Sequence, residues 1–224
     1  MIFAWACFGV HAFALLAVLF VLQRGIPPGD IAMRATHVAQ NRLAWQIGWA
    51  LWLPASLALV LFHAGFADAL NARAWGWVAV GITLAGAVID WADEMFWIGL
   101  APGLAARFAS DSFAASAYAL WDRAYIVLSI GLANALYTIG GIILIALAYR
   151  SRDFPRWLAR WGAVVWSLSI ALSIAGLLGD GVMIQVVSAL VFIAFMPWLI
   201  VMGLEIGDWR LQIANRKLQI VKSR

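Results

Sequence analysis

Six apolar stretches, near residues 2–22, 43–65, 75–98, 122–148, 160–178 and 182–206, divide this chain of 224 residues. Each matches the roughly 20 residues that an α-helix needs to cross a hydrocarbon layer. Inside lipid a backbone must satisfy its own N–H and C=O groups, and a stretch of this length can do so only as a helix. With 65% hydrophobic residues and a mean hydropathy of +0.92, the chain is built to be solvated by lipid. The expected fold is therefore all-α: a polytopic membrane bundle of six transmembrane helices.

The spans and their short connections account for nearly all of residues 1–224, so a single integral membrane domain is expected, ending in a basic tail over 208–224. The first apolar run lacks a basic leading region and continues up to Arg24, so it is read as a retained helix and not as a cleaved signal. Cys7 is the single cysteine, which leaves no internal disulfide and no cysteine metal cluster. Between the first two spans, Asp30 is placed to cap a short helix. Residues 101–116 read as a small-residue connector.

Lys and Arg set the expected orientation. With the amino terminus in the cytoplasm, Arg73, Arg150, Arg152, Arg156, Arg160, Arg210, Arg216, Lys217, Lys222 and Arg224 fall inside, against Arg24, Arg34, Arg42, Arg107 and Arg123 outside. The positive-inside rule favours this arrangement, with both termini cytoplasmic. Most of the 14 tryptophans then fit an aromatic belt: Trp5, Trp75, Trp77, Trp157, Trp161 and Trp209 at the inner boundary, and Trp45, Trp49, Trp97 and Trp121 at the outer one.

Against this background Asp90, Asp93 and Glu94 stand out, since 12% of all residues are charged and these three lie within the third apolar stretch. Ionisable groups at membrane depth are costly and mark a functional hypothesis. From Trp75 the helix climbs about 22 Å to Asp90, within a hydrocarbon layer about 30 Å thick. At about 100° per residue, Thr83, Gly86, Asp90, Asp93, Glu94 and Trp97 share one face, which must look inward. The fourth span aligns Arg123, Asn134, Tyr137, Thr138 and Gly141; the fifth, Gly162, Ser169, Ser173, Gly176 and Asp180; the second, Arg42, Gln46, Trp49, Ser56 and His63, with Pro54 able to kink it.

These stripes predict an outward-facing polar site formed by Asp90, Asp93, Glu94, Arg123, Asp180 and Arg42. Arg123 would serve as counter-charge to Asp90 or Glu94. One arginine does not balance three carboxylates, so at least one must be protonated, hydrated or bound to a cation. Serine and glycine stripes taken alone signify helix packing. A metal is weakly signalled: Asp90 and Glu94, with Asp122, Asp180 or His37, could supply ligands, but no histidine-containing metal spacing occurs. No cofactor is expected. His11 and His63 differ in depth by about 9 Å, which does not suit paired haem ligands, and no span contains a lysine for a retinal Schiff base.

The run Tyr149-Arg150-Ser151-Arg152-Asp153-Phe154-Pro155-Arg156-Trp157-Leu158 joins a helix containing Gly140-Gly141 to one beginning near Gly162. This hairpin resembles that of a widespread family of small, uncharacterised bacterial six-helix membrane proteins classed as a domain of unknown function. The resemblance covers roughly the C-terminal half. It implies a bacterial cytoplasmic membrane protein with both termini inside, and it supplies no catalytic residues.

The leading expectation is the binding or passage of a small cationic or protonatable solute, or of protons, through Asp90 and Glu94. The alternatives are a non-catalytic subunit or assembly factor of a larger membrane complex, and a membrane-embedded enzyme acting on a lipid or other apolar substrate. Membrane lipids, and on the second reading other membrane subunits, are the expected partners; nucleic acid is not.

Overall fold

The computed structural model describes residues 2–222, the side chains of Arg73 and of residues 206–222 aside. The side chains of the tail over 208–224, and with them Trp209, therefore lie outside the described residues. The chain runs α1 (Ile2–Ala17), a π-helical turn (Val18–Leu22), α2 (Ile31–Gln40), α3 (Arg42–Ala50), α4 (Trp52–Ala69), α5 (Arg73–Gly99), α6 (Ala101–Arg107), α7 (Ser112–Tyr125), a second π-helical segment (Ile126–Ala133), α8 (Asn134–Arg150), α9 (Arg156–Leu178) and α10 (Gly181–Lys222). Among the described residues there is no strand. Six continuous helical stretches are long and apolar enough to cross a membrane: Ile2–Leu22, Arg42–Ala69, Ala74–Gly99, Ser112–Arg150, Arg156–Leu178 and Gly181–Glu205.

Local chemistry sets the ends of these helices. Asp30 accepts from the Met33 amide at 3.0 Å, as its position before α2 predicts. Asp111 and Asp180 cap α7 and α10 in the same way. Gly179, at φ +72°, closes α9 in the left-handed region where a residue without Cβ is favoured. Pro155 precedes α9, where its missing N–H costs no helical bond. The stretch expected to be a plain connector instead forms α6 and the first turn of α7, because Pro102 can start a helix and Asp111 can cap one. The second span carries an irregular turn at Leu51, between α3 and α4, three residues before Pro54.

The spans close into a ring. Helix α1 packs on α4, α4 on α5, α5 on α8, α8 on α9, α9 on α10, and α10 returns to α1. The centre is aromatic. The His63 ring meets Trp166 at 5.4 Å between centroids, Trp166 meets Phe195 at 6.2 Å, and Phe62 meets Trp198 at 5.6 Å. Lipid removes most of the hydrophobic drive between helices, so close backbone approach and interhelical hydrogen bonds must hold the ring. Both occur between the fourth and fifth spans. A Cβ on Gly176 would lie 2.6 Å from the Gly131 nitrogen. Nearby, Asn134 donates to the Ser169 carbonyl at 2.9 Å and to Ser173 Oγ at 2.8 Å, and the Thr138 and Ser169 hydroxyls are 2.7 Å apart.

The end of the ring away from the amino terminus carries a cap. There α2 packs on α6, and α6 on α7. Beneath the cap a second aromatic cluster gathers Trp45, Trp49, Trp97, Tyr118 and Phe108. Trp45, Trp49 and Trp97 are 0%, 4% and 1% exposed, so the outer belt expected of them is corrected: they are core residues, because the cap helices cover them. Trp121, at 37%, stays at the surface, as do Trp5, Trp75, Trp77 and Trp157.

Candidate functional site

One face of α5 carries the acidic cluster into the bundle at its cap end. Asp90 is held by two donors from the fourth span: the Ser129 hydroxyl on the π-helical segment and the Tyr137 hydroxyl at 2.7 Å on α8. A notch at Gly86 makes room for that tyrosine, since a Cβ there would lie 2.9 Å from its ring. Trp91, next to Asp90, donates to Ser56 Oγ at 2.7 Å and to the Leu53 carbonyl at 3.0 Å, tying α5 to the start of α4.

Asp93 and Glu94 are placed differently. They are 2% and 3% exposed, and neither Asp93 oxygen nor Glu94 Oε2 has a hydrogen-bond partner. The three carboxylates lie within electrostatic reach of one another, and Tyr125 lies in the field of all of them and of Asp122. The walls are aromatic. Trp97 stacks on Trp49 at 5.9 Å and meets Tyr118 and Tyr125 edge-on at 5.7 and 5.8 Å. The Trp49 and Trp97 indole N–H groups and the Tyr118 hydroxyl are likewise buried without partners. Of these donors, the Trp97 indole faces the Asp93 carboxyl. A buried polar group left unpaired costs on the order of 1–3 kcal/mol.

The remaining expected members stand elsewhere. Arg123 is exposed, and the ion pair expected between it and Asp90 or Glu94 does not form. Between Arg123 and Asn134 the helix winds through the π-helical segment, whose i→i+5 bonds widen each turn and shift the phase that a regular α-helix would keep. Arg42 is exposed at the start of α3, and Asp180 is exposed as the cap of α10. The structure joins neither to the acidic cluster. Asp90, Asp93 and Glu94 remain as the core of the site.

Sequence reasoning missed Arg34, which is 7% exposed and paired in two prongs with Asp122, the second at 2.8 Å. Its Nε also donates to the Gly29 carbonyl at 3.2 Å. The signal was available: Arg34 shares a face of α2 with the buried Ala35 and Val38. This pair removes Asp122 from the ligand set considered for a metal. His37 is removed as well, with Nε2 3.0 Å from the Val21 carbonyl. Among the described residues no three His, Cys, Asp or Glu side chains converge in a way that could hold a metal ion.

The cap face also bears an open groove of about 500 Å³, lined by Arg24, Asp30, Met33, Arg34 and His37 among others, and by none of the acidic cluster. No protein-family model, no curated protein and no solved structure matches the chain. The fold and its six apolar helices define a multi-pass integral membrane protein.

Proposed function

We propose that the protein takes up and passes protons through the carboxyl cluster of α5, with Asp93 and Glu94 as the titrating groups. The observation that carries this reading is their burial at 2% and 3% exposure with no cation at hand. Among the described residues, neither carboxylate takes part in an ion pair, unlike Asp122, which pairs with Arg34, and Asp111, which pairs with Arg107. A carboxylate in such surroundings has to be neutralised. The close packing favours the smallest neutralising species over a solute. Asp90 beside them accepts from Ser129 and Tyr137.

Orientation rests on the Lys and Arg distribution, which supports cytoplasmic termini and a cluster nearer the outer face. The hairpin over 149–158 supports the same setting.

The test is proton flux into proteoliposomes under an imposed pH gradient, with a potassium ionophore clamping the potential. Glu94→Gln and Asp93→Asn are expected to lower the flux by about tenfold or more, and Glu94→Gln to abolish a protonated-carboxyl infrared band. A double variant with wild-type flux and an unchanged band rules the reading out.

A further inference from the structure

His63 lies in the bundle's centre, apart from the carboxyl site. It is 0% exposed and sits in α4, where α5, α8 and α9 meet it through Thr83, Gly140 and Trp166. None of these three carries a charge.

Hydrogen-bond accounting assigns its tautomer. The Thr83 hydroxyl has one hydrogen, which it gives to the Ala79 carbonyl at 2.9 Å. With that hydrogen on the Ala79 carbonyl, the 2.7 Å bond to His63 Nδ1 has the imidazole as donor. Nδ1 therefore carries the hydrogen, and Nε2 presents a lone pair that is buried and unpartnered. A neutral imidazole that donates through Nδ1 keeps a lone pair on Nε2, and here that lone pair is buried where α4 meets α5, α8 and α9.

Its position relative to the carboxyl site is not arbitrary. Asp90, Gly86 and Thr83 descend one face of α5. On the facing helix α8, Tyr137 occupies the Gly86 notch and bonds Asp90, while Gly140, about one turn further on, opens the space that the Thr83 hydroxyl fills. From Asp90 to Thr83 the rise is about 10 Å, and the tyrosine covers part of it. The same two-helix seam thus carries the carboxyl cluster at one end and the imidazole at the other.

We infer that His63 is a second, inner proton-binding site on the path that begins at Asp93 and Glu94. Its Nε2 lone pair accepts a proton to give an imidazolium, and release of one proton restores the neutral ring; no other bond is made or broken. This inference rests on the proton-passing reading above, and the experiments are chosen to separate the two.

His63→Asn places an amide donor near the Nδ1 position, so the tie to Thr83 persists while the base is gone. The expected result is a loss of flux of about tenfold or more, with the thermal midpoint and the Glu94-dependent infrared band unchanged. Nitrogen NMR of histidine-labelled protein in liposomes should show a bare Nε2 at rest, which becomes protonated when the cap side is acidified. Wild-type flux in His63→Asn with the infrared band still dependent on Glu94 overturns the role of His63 and leaves the carboxyl reading standing. An Nε2 that carries hydrogen at rest, or that never changes on acidification, overturns the inference whatever the flux does.

Discussion

Arg34 and Asp122, 88 residues apart, form a buried two-pronged ion pair that fastens the cap helix α2 to the first turns of the fourth span. Bidentate geometry and burial make this pair unlike a surface salt bridge, because the loss of either partner strands the other's charge. Arg34→Gln or Asp122→Asn is expected to lower stability by about 3–5 kcal/mol, read as a shifted unfolding transition in detergent. Arg123→Gln, at the exposed arginine one residue further on, should stay within about 0.5 kcal/mol of wild type. Equal effects from the two arginines would contradict the assignment of Arg34 as the buried one.

Tyr137 joins the seam in two ways, through a ring seated at Gly86 and a hydroxyl given to Asp90. Tyr137→Phe keeps the first and removes the second, leaving Asp90 with Ser129 as its remaining donor. The expected cost is about 1–3 kcal/mol of stability, together with a slower proton flux. Loss of flux without loss of stability would separate the transfer role from the structural one. Unchanged values of both would show that the hydroxyl contributes to neither.

Glycines along the spans divide into two groups with opposite expected signs. A Cβ at Gly140 would lie 2.9 Å from the Ala79 carbonyl oxygen and press on the Thr83 hydroxyl. Gly140→Ala should therefore cost about 1–3 kcal/mol through overpacking and disturb the His63 contact. Gly81 has nothing within 4 Å of the same added atom, so Gly81→Ala should be neutral or raise stability by about 0.5–1 kcal/mol through helix propensity. Thermal midpoints of the two variants measured side by side decide the matter.

What the residues revealed in advance followed from short-range rules. Apolar length and helical periodicity are local properties, so the six helices, the Asp30 cap and the inward face of α5 with Asp90, Asp93 and Glu94 could be derived without coordinates. Arg123 was misplaced because the derivation assumed one constant winding through residues 126–133, and no propensity rule announces a change of turn there. Trp45, Trp49 and Trp97 were read as a boundary belt because their burial depends on α2 and α6, which pack over them from the two connections. The partnership of Arg34 with Asp122 is tertiary in the same sense. An arginine on the apolar side of a short helix shows that a buried anion must exist but does not say which one.

The π-helical segment Ile126–Ala133 joins α7, which packs on the cap helix α6, to α8, which packs on α5 and α9. Ser129 reaches Asp90 from this segment, while Asn134 and Thr138, just beyond it, serve the fifth span. Rewinding this segment as an ordinary α-helix with no residue removed would swivel everything on the capped side by on the order of 100° relative to the rest. Asp122 would then turn away from Arg34, and Ser129 from Asp90. The span works like a key cut with two bittings, and the length of this one stretch sets the angle between them.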